Sequence, residues 1–300
     1  MPERADIVLD GWGSDGLGAV AALIDRASPV DRFPLDQLRE AVFEDMDFDR
    51  ALLIAAWANG ALAGAIAGVR RGERGHAKLF AVAPEWRRRG IGSRLLGELE
   101  DRLGQRGART CRIFHDAPYY LRPGVDFRLT DMVSMLERRG YEQKHAACNM
   151  VVDLTHARLD TSEAEVSLAT RGIVIRRLEH GDRDHLAVAA MSPNWRVEVA
   201  RSFRRAPIST HIALQGDAIV AFATHSVSGP AQFGPMQTDP SLRGLGIGAL
   251  LLRRCLADLR SAGFPRCDIQ WVGPKGFYAD HVGARIDRCF WQYEKALAPS

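Results

Sequence analysis

One sequence pattern occurs twice in the chain, as APEWRRRGIGSRLL at residues 83–96 and as DPSLRGLGIGALLL at residues 239–252, an offset of 156 residues. In both copies a proline stands three residues before an arginine, and glycines follow that arginine after three and five residues. Each copy then continues into apolar residues at helical spacing. Because the two copies keep the same spacing, the chain is expected to contain a duplicated domain.

The duplication extends beyond this pattern. With the same offset of 156 residues, Gly107 matches Gly263. Further along, Gly140 matches Gly283 with an offset of only 143, so the first half has thirteen extra residues between about 119 and 139. A repeat of this length is the size of one compact domain, and the chain is therefore predicted to form two.

Length and composition agree with two domains. The chain has 300 residues, of which 46% are hydrophobic and 26% charged, enough to form two cores and an ordinary polar surface. The predicted division is an N-terminal lobe at 1–155, a linker at 156–170 and a C-terminal lobe at 171–300.

Charge and cysteine content exclude several classes of protein. The 40 basic residues are interspersed with 37 acidic ones, and this balance argues against a nucleic-acid partner. The five cysteines form no Cys-x-x-Cys pair, which indicates free thiols in a reducing compartment. No stretch approaches the length of a membrane span, and the first residues do not resemble a signal peptide. We therefore expect a cytoplasmic protein without a membrane partner.

The same run of secondary structure is predicted in each half. A β-hairpin with a turn at Asn59-Gly60, or at Gln215-Gly216 in the second half, is followed by a further strand, the glycine pattern and a helix. The apolar faces of the two helices are formed by Ile91, Leu95, Leu96, Leu99 and Leu103, and by Ile247, Leu251, Leu252, Cys255 and Leu259.

The repeated glycine pattern has the chemistry of an anion site. A strand that turns directly into a helix leaves several backbone N–H groups without an acceptor in the helix. Glycines at 90 and 92 let a ligand approach these groups closely, and the helix dipole favours a phosphate there. Alternatively, the glycines only permit close packing and the arginines are a solvated face. The repetition, with its arginine retained, favours the anion site.

Two other phosphate-binding loops do not fit the pattern. A P-loop requires Gly-Lys-Ser or Gly-Lys-Thr after its glycines, and neither copy contains it. A dinucleotide fingerprint requires Gly-x-Gly-x-x-Gly in a parallel βαβ unit, whereas residues 244–248 have a different spacing and follow a hairpin.

The Arg-x-x-Gly-x-Gly pattern of residues 87–92 and 243–248, between a strand and a helix that follow a hairpin, resembles the acetyl-CoA signature of the GNAT acetyltransferase superfamily. The resemblance covers almost the whole chain as two lobes in tandem, an arrangement similar to that of mycothiol synthase. It implies an α/β (α+β) fold in which each lobe has a mixed, mostly antiparallel sheet flanked by helices. It also implies acetyl-CoA as the co-substrate.

The resemblance implies that two loops would hold acetyl-CoA. We name them the first glycine loop (87–93) and the second glycine loop (243–249). Their backbone amides would bind the diphosphate, and the strands that end at Val82 and Thr238 would pair with the pantetheine arm. The candidate cofactor-binding residues are Val82, Arg87, Arg88, Arg89, Gly90, Ile91, Gly92 and Ser93 in the first lobe, and Thr238, Arg243, Gly244, Leu245, Gly246, Ile247, Gly248 and Ala249 in the second.

The family reaction suggests catalytic residues in the second lobe. A tyrosine that protonates the leaving thiolate corresponds to Tyr278, and an N–H at Thr238 or Val82 would stabilise an oxyanion. Tyr278 is also explained as a core residue with its hydroxyl at the surface. The first lobe has no tyrosine in the equivalent stretch before Gly140, so the C-terminal lobe is predicted to be catalytic. Tyr119 and Tyr120 are the alternative for the first lobe, and packing also explains them.

The general base is not determined by the sequence, and His115 and His225 are only guesses. No metal site is predicted, because His180 and His185 lack a third ligand at metal-site spacing.

The predicted function is transfer of an acetyl group from acetyl-CoA to a primary amine of a small molecule. The alternative is an acyl-CoA sensor or scaffold without catalysis. The identity of the acceptor, the number of lobes that bind acetyl-CoA and the oligomeric state stay undetermined.

Overall fold

The structure is a computed structural model that describes residues 6–188 and 191–298. The chain folds as two compact units. Unit 1 consists of the described residues of Met1–Ala147 and Cys289–Ser300, and unit 2 consists of those of Cys148–Arg288. The boundaries of these units differ from those of the predicted lobes, 1–155 and 171–300. The segment expected as a linker lies in unit 2 and contains a helix, Ser162–Ala169.

The elements of the first part of the chain are β1 (Ile7–Gly11), α1 (Leu17–Ala27), α2 (Leu35–Phe43), β2 (Leu53–Ala58), β3 (Ala61–Arg71), β4 (Arg74–Val82), α3 (Ile91–Gln105), β5 (Thr110–Ile113), β6 (Val125–Asp126), α4 (Thr130–Arg138) and β7 (Glu142–Asp153). Those of the second part are α5 (Ser162–Ala169), β8 (Ile173–Arg177), α6 (Arg183–Val188), α7 (Pro193–Arg201), β9 (Thr210–Gln215), β10 (Ala218–His225), β11 (Gln232–Thr238), α8 (Ile247–Ser261), β12 (Arg266–Ile269), α9 (Lys275–Val282) and β13 (Arg285–Ala296).

Unit 1 has a mixed sheet with the strand order β1-β2-β3-β4-β5-β13. The pairs β1–β2, β2–β3, β3–β4 and β5–β13 are antiparallel, and β4–β5 is parallel. The turn between β2 and β3 lies at Asn59-Gly60, and both residues have positive φ, 50° and 77°. The predicted hairpin and the mostly antiparallel sheet are confirmed.

Strand β4 separates from β5 before it ends. Its pairing with β5 stops at Ala77, opposite Ile113, whereas its pairing with β3 continues to Val82. A register shift on β4 falls between Ala77 and Leu79, the position of a β-bulge. The last residues of β4 are therefore open on the side that β5 has left.

A buried ionic network lies at the point where the strands separate. Lys78, the first residue beyond the last β4–β5 pair, donates to the carbonyl of Ala41 at 2.6 Å and contacts the carboxylates of Asp45 and Asp116. Arg71 bonds to the same two carboxylates at 2.7–3.0 Å. An unpaired ammonium buried here would be destabilising by several kcal/mol, about the cost of desolvating one ion, and the two carboxylates offset this.

Two hydrophobic clusters cover opposite faces of this sheet. Residues of α3 and α4 form one cluster with Ile54 and Ile66, and residues of α1 and α2 form the other with Leu53 and Ala65. The predicted apolar face of α3 is fully buried in the first cluster. Gly64 admits α3 closely, because a Cβ at this position would lie 2.8 Å from Cδ1 of Leu95.

Unit 2 repeats this plan with the strand order β7-β12-β11-β10-β9-β8. Its parallel pair is β11–β12, limited to Gln232 and Phe233 on β11, while β11 pairs with β10 as far as Thr238. Helix α8 is buried along the face predicted from the sequence. The two halves therefore share one fold.

The final strand of each sheet comes from a distant part of the chain. Residues 289–296 of β13 complete the sheet of unit 1, and residues 150–153 of β7 pair with β12 in unit 2. In unit 1 the Tyr293 side chain is completely buried, and its hydroxyl donates to Glu137 at 3.2 Å. The core of unit 1 thus depends on residues close to the end of β13.

We expect Tyr293→Ala to destabilise unit 1 by about 3–5 kcal/mol, the usual effect of truncating a buried aromatic side chain. Hydrogen exchange followed by mass spectrometry should show faster exchange in β5, the partner of β13, and unchanged exchange in β12. Ile286→Ala, in the same strand but 52% exposed, is the control. Faster exchange in β12 alone would contradict this assignment.

Candidate functional site

The first glycine loop presents a row of backbone amides. A turn of 3-10 helix, Pro84–Trp86, follows β4, and α3 begins at Ile91 after Gly90, whose φ is 82°. The Arg87 amide bonds to the carbonyl of Pro84 and the Arg94 amide to that of Gly90. Between them, the amides of residues 88–93 donate to no residue that the structure describes. Such a row at the start of a helix is suited to a phosphate.

The second glycine loop has the same backbone. Gly244 and Gly246 both have φ of 82°, and α8 begins at Ile247. In the first loop the residue equivalent to Gly244 is Arg88, which takes a left-handed φ of 61°. A side chain in this conformation costs about 1–2 kcal/mol relative to the right-handed region. The duplicated loops therefore differ in backbone strain.

A cavity of about 700 Å³ opens beside the first glycine loop. The first glycine loop and the end of β4 line one part of it, and α1 with the segment after it and α4 with the segment before it line the remainder. The lining residues are Ile24, Ala27, Ser28, Pro29, Asp31, Phe80, Ala81, Val82, Trp86, Arg87, Arg88, Gly90, Ile91, Gly92, Ser93, Arg122, Arg128, Leu129, Thr130, Asp131, Met132, Met135 and Arg138.

The cavity reaches both faces of the sheet. Phe80 belongs to the cluster beneath α3 and α4, whereas Ala81 belongs to the cluster beneath α1 and α2. Both line the cavity, because β4 has lost its neighbour β5 at this point. Two molecules that enter from opposite faces can therefore meet at the open edge of β4.

The predicted arginines have different environments. The guanidinium of Arg87 donates to the carbonyls of Val82 and Ala27, so it joins the first glycine loop to the end of α1. Arg89 stacks on the Trp86 ring at 4.8 Å from its centroid. Arg88 lines the cavity. Arg87 therefore has a structural role that its position in the sequence pattern did not indicate.

Val82 and Thr238 occupy equivalent ends of strands. Val82 pairs with Gly64 of β3, and Thr238 pairs with Ala221 of β10. Only Val82 lines the large cavity. The two loops thus have the same strand geometry but different surroundings.

The equivalent glycines of the two loops have neighbours at similar distances. A Cβ at Gly92 would lie 3.0 Å from Sδ of Met135, 3.4 Å from Cζ of Phe80 and 3.6 Å from Cγ2 of Val82. A Cβ at Gly248 would lie 3.3 Å from Cε of Met236, 3.4 Å from Oγ1 of Thr238 and 3.6 Å from Cζ of Phe277. A cavity of about 40 Å³ lies on β10 and β11 instead, and no described residue of the second glycine loop lines it. This small cavity is therefore not the counterpart of the large cavity beside the first loop.

Tyr278 is buried on α9. Its ring packs edge to face with Phe233 at 6.2 Å and with Phe277 at 5.1 Å between centroids. Burial raises the pKa of the phenol to about 12. The hydroxyl therefore stays protonated at neutral pH and can act as a donor.

None of the remaining catalytic candidates, His115, His225 and Tyr119, lines the large cavity. Burial lowers the pKa of His115 to about 4, so this imidazole is neutral, and its Nδ1 lies 3.0 Å from the carbonyl of Ile113. His225 lies in unit 2, with Nε2 3.3 Å from the Asp258 carboxylate. Tyr119 is buried near Lys78, whose ammonium is 5.7 Å from the ring centroid.

Sequence reasoning missed one charged pair in the cavity wall. Asp31, between α1 and α2, pairs with Arg122, which lies in the extra segment of the first half. No sequence motif marks either residue. The insertion itself was the available signal, because Arg122 lies in it and lines the cavity.

Among residues 6–188 and 191–298, no group of three or more His, Cys, Asp or Glu side chains is arranged to hold a metal ion. In the same part of the chain, no helix combines the length and apolar composition that a membrane crossing requires.

Comparison with solved structures supports the fold. A GCN5-related N-acetyltransferase from Sphaerobacter thermophilus superposes with a TM-score of 0.72 at 16% identity and covers 100% of this chain and 98% of its own. A tandem GNAT protein from the clavulanic acid biosynthesis pathway has a TM-score of 0.70 at 14% identity, covering 98% of this chain and 100% of its own.

The glucosamine N-acetyltransferase region of a fungal multi-domain β-N-acetylglucosaminidase gives a TM-score of 0.79 at 16% identity. The match covers 98% of this chain but 38% of that protein.

The sequence profile of the Acetyltransferase (GNAT) family matches twice, at residues 20–119 and 177–282. These two matches cover more than half of the chain and contain both glycine loops. The chain therefore belongs to the GNAT acetyltransferase family and carries two GNAT domains in tandem.

Proposed function

We propose that this protein transfers an acetyl group from acetyl-CoA to a primary amine of a small molecule, and that acetyl-CoA binds in the cavity of unit 1. The observation that carries the proposal is the cavity of about 700 Å³ between the amides of the first glycine loop and the open edge of β4. No residue of the second glycine loop lines this cavity or the smaller one of unit 2.

The residues of this cavity fit the parts of coenzyme A. The amides of residues 88–93 suit the diphosphate, and Arg88 and Arg138 add positive charge. Leu129, Met132 and Met135 give an apolar wall for the pantetheine arm. Acetyl-CoA supplies an acyl group that is already activated as a thioester.

The protein's own contribution to the reaction is position and polarity. An amine with an ordinary pKa of about 10.4 must lose a proton before it can attack, and the cavity has to bind it in that form. The end of β4 brings backbone N–H groups to the place where both faces of the sheet are accessible. These groups suit the negative charge that develops on a carbonyl oxygen.

A second candidate is catalysis in the C-terminal lobe, with Tyr278 as the proton donor and Thr238 as the oxyanion group. The position of Tyr278 on α9, the helix after β12, favours it. The alternative of a non-catalytic sensor differs from both catalytic candidates, because it would bind acyl-CoA and form no acetylated product.

We expect Gly92→Val to weaken acetyl-CoA binding at least tenfold, about 1.4 kcal/mol. A Cβ at Gly92 would already lie 3.0 Å from Sδ of Met135, so the larger side chain narrows the cavity at the loop. Titration calorimetry of the full chain measures the affinity. Gly248→Val in the second loop is the matched variant and should bind as the natural protein does. Weaker binding by Gly248→Val together with unchanged binding by Gly92→Val would place acetyl-CoA in unit 2.

We expect Arg88→Gly to raise the free energy of unfolding by up to about 1 kcal/mol, because relief of the left-handed side chain exceeds the entropy that glycine adds to the unfolded chain. The same change should weaken acetyl-CoA binding by loss of a cation. Urea denaturation and calorimetry measure the two effects. Arg89→Gly, at a residue without positive φ, should be destabilising. A less stable Arg88→Gly would show that the conformation is not strained.

We expect Tyr278→Phe to leave turnover with acetyl-CoA unchanged if the cavity of unit 1 is the site of reaction. The measurement is release of free CoA thiol with a primary amine as acceptor. Lower turnover with unaltered acetyl-CoA affinity would instead identify Tyr278 as the proton donor. That result would assign catalysis to the C-terminal lobe.

A further inference from the structure

One carboxylate of unit 2 joins helix α8 to three neighbouring strands of the sheet. Asp258 of α8 accepts from the Arg177 guanidinium on β8 at 2.8 Å. On β9, Nε2 of His211 lies 2.8 Å from the same carboxylate, and Nε2 of His225, the last residue of β10, lies 3.3 Å from it. Arg177 and His211 are paired in the sheet, so their side chains lie on the same face. We name these four residues the α8 latch.

Unit 1 has a different arrangement at the equivalent place. With the offset of 156 residues, Asp258 corresponds to Arg102 of α3, which bonds to Glu98 of its own helix and to the carbonyl of Ala51. Beneath α3, strands β2 and β3 contribute apolar side chains to the core. Because both units have the same fold, packing of this helix does not require charged groups. Burial of charge also costs desolvation, so packing alone does not explain the α8 latch.

The hydrogen bonds of His211 fit a neutral ring. Its side chain is 3% exposed, its Nε2 faces Asp258, and its Nδ1 bonds to no residue that the structure describes. The neutral tautomer with its proton on Nε2 donates to the carboxylate and leaves Nδ1 unprotonated. A second proton would place an N–H on Nδ1, in a buried position without an acceptor, and this is destabilising.

The charges around His211 are balanced while its ring is neutral. Asp258 is paired with Arg177. Arg254, one turn earlier on α8, is paired with Glu165 of α5 through two bonds of 2.6 and 2.8 Å. A proton on His211 would therefore add a third cation beside two carboxylates.

Two further titratable groups belong to the same interface. Cys255 of α8 is completely buried, and burial raises the pKa of its thiol, so the thiol is uncharged. His225 has its Nδ1 3.0 Å from the Ser226 hydroxyl, and its Nε2 shares Asp258 with His211. One carboxylate thus serves a guanidinium and two imidazoles, and it cannot compensate all three when they are charged.

This arrangement shifts the titration of both groups. Burial lowers the pKa of His211, and the bond to Asp258 opposes that effect only in part. Burial alone would raise the pKa of Asp258, but hydrogen bonds from His211, His225 and Arg177 outweigh it and keep that pKa well below its usual range. In acid, protons are therefore taken up by imidazole and not by Asp258.

We propose that the α8 latch is an acid-sensitive device, in which protonation of His211 releases α8 from the strands of unit 2. A histidine in an unfolded segment has a pKa of about 6.5, above the lowered pKa of His211 in the folded unit. Between these two values the released state binds more protons, so the latch holds above about pH 6.5 and loses stability as the pH falls. Because α8 begins in the second glycine loop, its release also frees that loop.

Hydrogen exchange of the full chain at pH 7.5 and at pH 5.0, expressed as protection factors, tests the proposal without any ligand. A group that binds a proton only in the released state changes the opening equilibrium by up to about tenfold per pH unit. We expect the protection of the buried amides of α8 to fall at least tenfold between the two pH values.

His211→Gln separates the latch from other effects of acid. Glutamine places an N–H near the position of Nε2 but does not titrate, so the loss of α8 protection should become about tenfold smaller. Burial also lowers the pKa of His76 and His115 in unit 1 to about 4, and the acid response of unit 1 should be the same in this variant. His156→Gln, at an imidazole that is 86% exposed, is the control and should alter neither unit. Equal pH dependence of α8 in the natural protein and in folded His211→Gln would rule out the latch.

Nitrogen NMR of the natural protein with labelled histidine tests the same property without a variant. We expect the His211 ring to carry a single proton, on Nε2, at pH 7 and to remain neutral at pH 6. A doubly protonated ring at pH 7 would show a permanent ion pair with Asp258, and the proposal would then be wrong.

Discussion

The separation of β4 from β5 is the feature on which the site depends. Both strands pair as far as Ala77, and β4 then continues with β3 alone. A strand with one neighbour exposes main-chain groups at its free edge, which a second chain or an extended ligand can use. The buried network around Lys78 lies at this point and joins β4 to Asp116 after β5 and to Asp45 after α2. Charged side chains therefore fill the base of the opening.

The two units show how one backbone gives different sites. Both glycine loops begin a helix with a left-handed glycine and leave a row of amides at its start. In unit 1 a cavity of about 700 Å³ borders the loop, whereas the cavity of about 40 Å³ in unit 2 is lined by no residue of the second glycine loop. The immediate neighbours of Gly92 and Gly248 lie at similar distances, so the walls farther from the loop distinguish the two sites. A duplicated domain can therefore keep its fold and its loop while the surroundings of that loop change.

The unit 1 cavity combines two kinds of wall. On the α3 side the groups are backbone amides and apolar side chains, which suit a long carrier with a charged diphosphate. On the α1 side they include the ion pair of Arg122 and Asp31, fixed by Ser28 and by two aromatic rings. Arg87 links the sides, because its guanidinium reaches from the first glycine loop to the carbonyl of Ala27.

The sequence by itself determined the features that depend on residues close together in the chain. Glycines with positive φ at 60, 90 and 246, apolar spacing along α3 and α8, and the repeated pattern itself act within a few residues, and they predicted the hairpins, the helices, the duplication and the family. Only the tertiary structure decided which loop borders a large cavity, where β13 pairs and that Arg122 meets Asp31. These outcomes depend on contacts between residues far apart in sequence and on how completely side chains fill a space, and neither leaves a periodic or local signal.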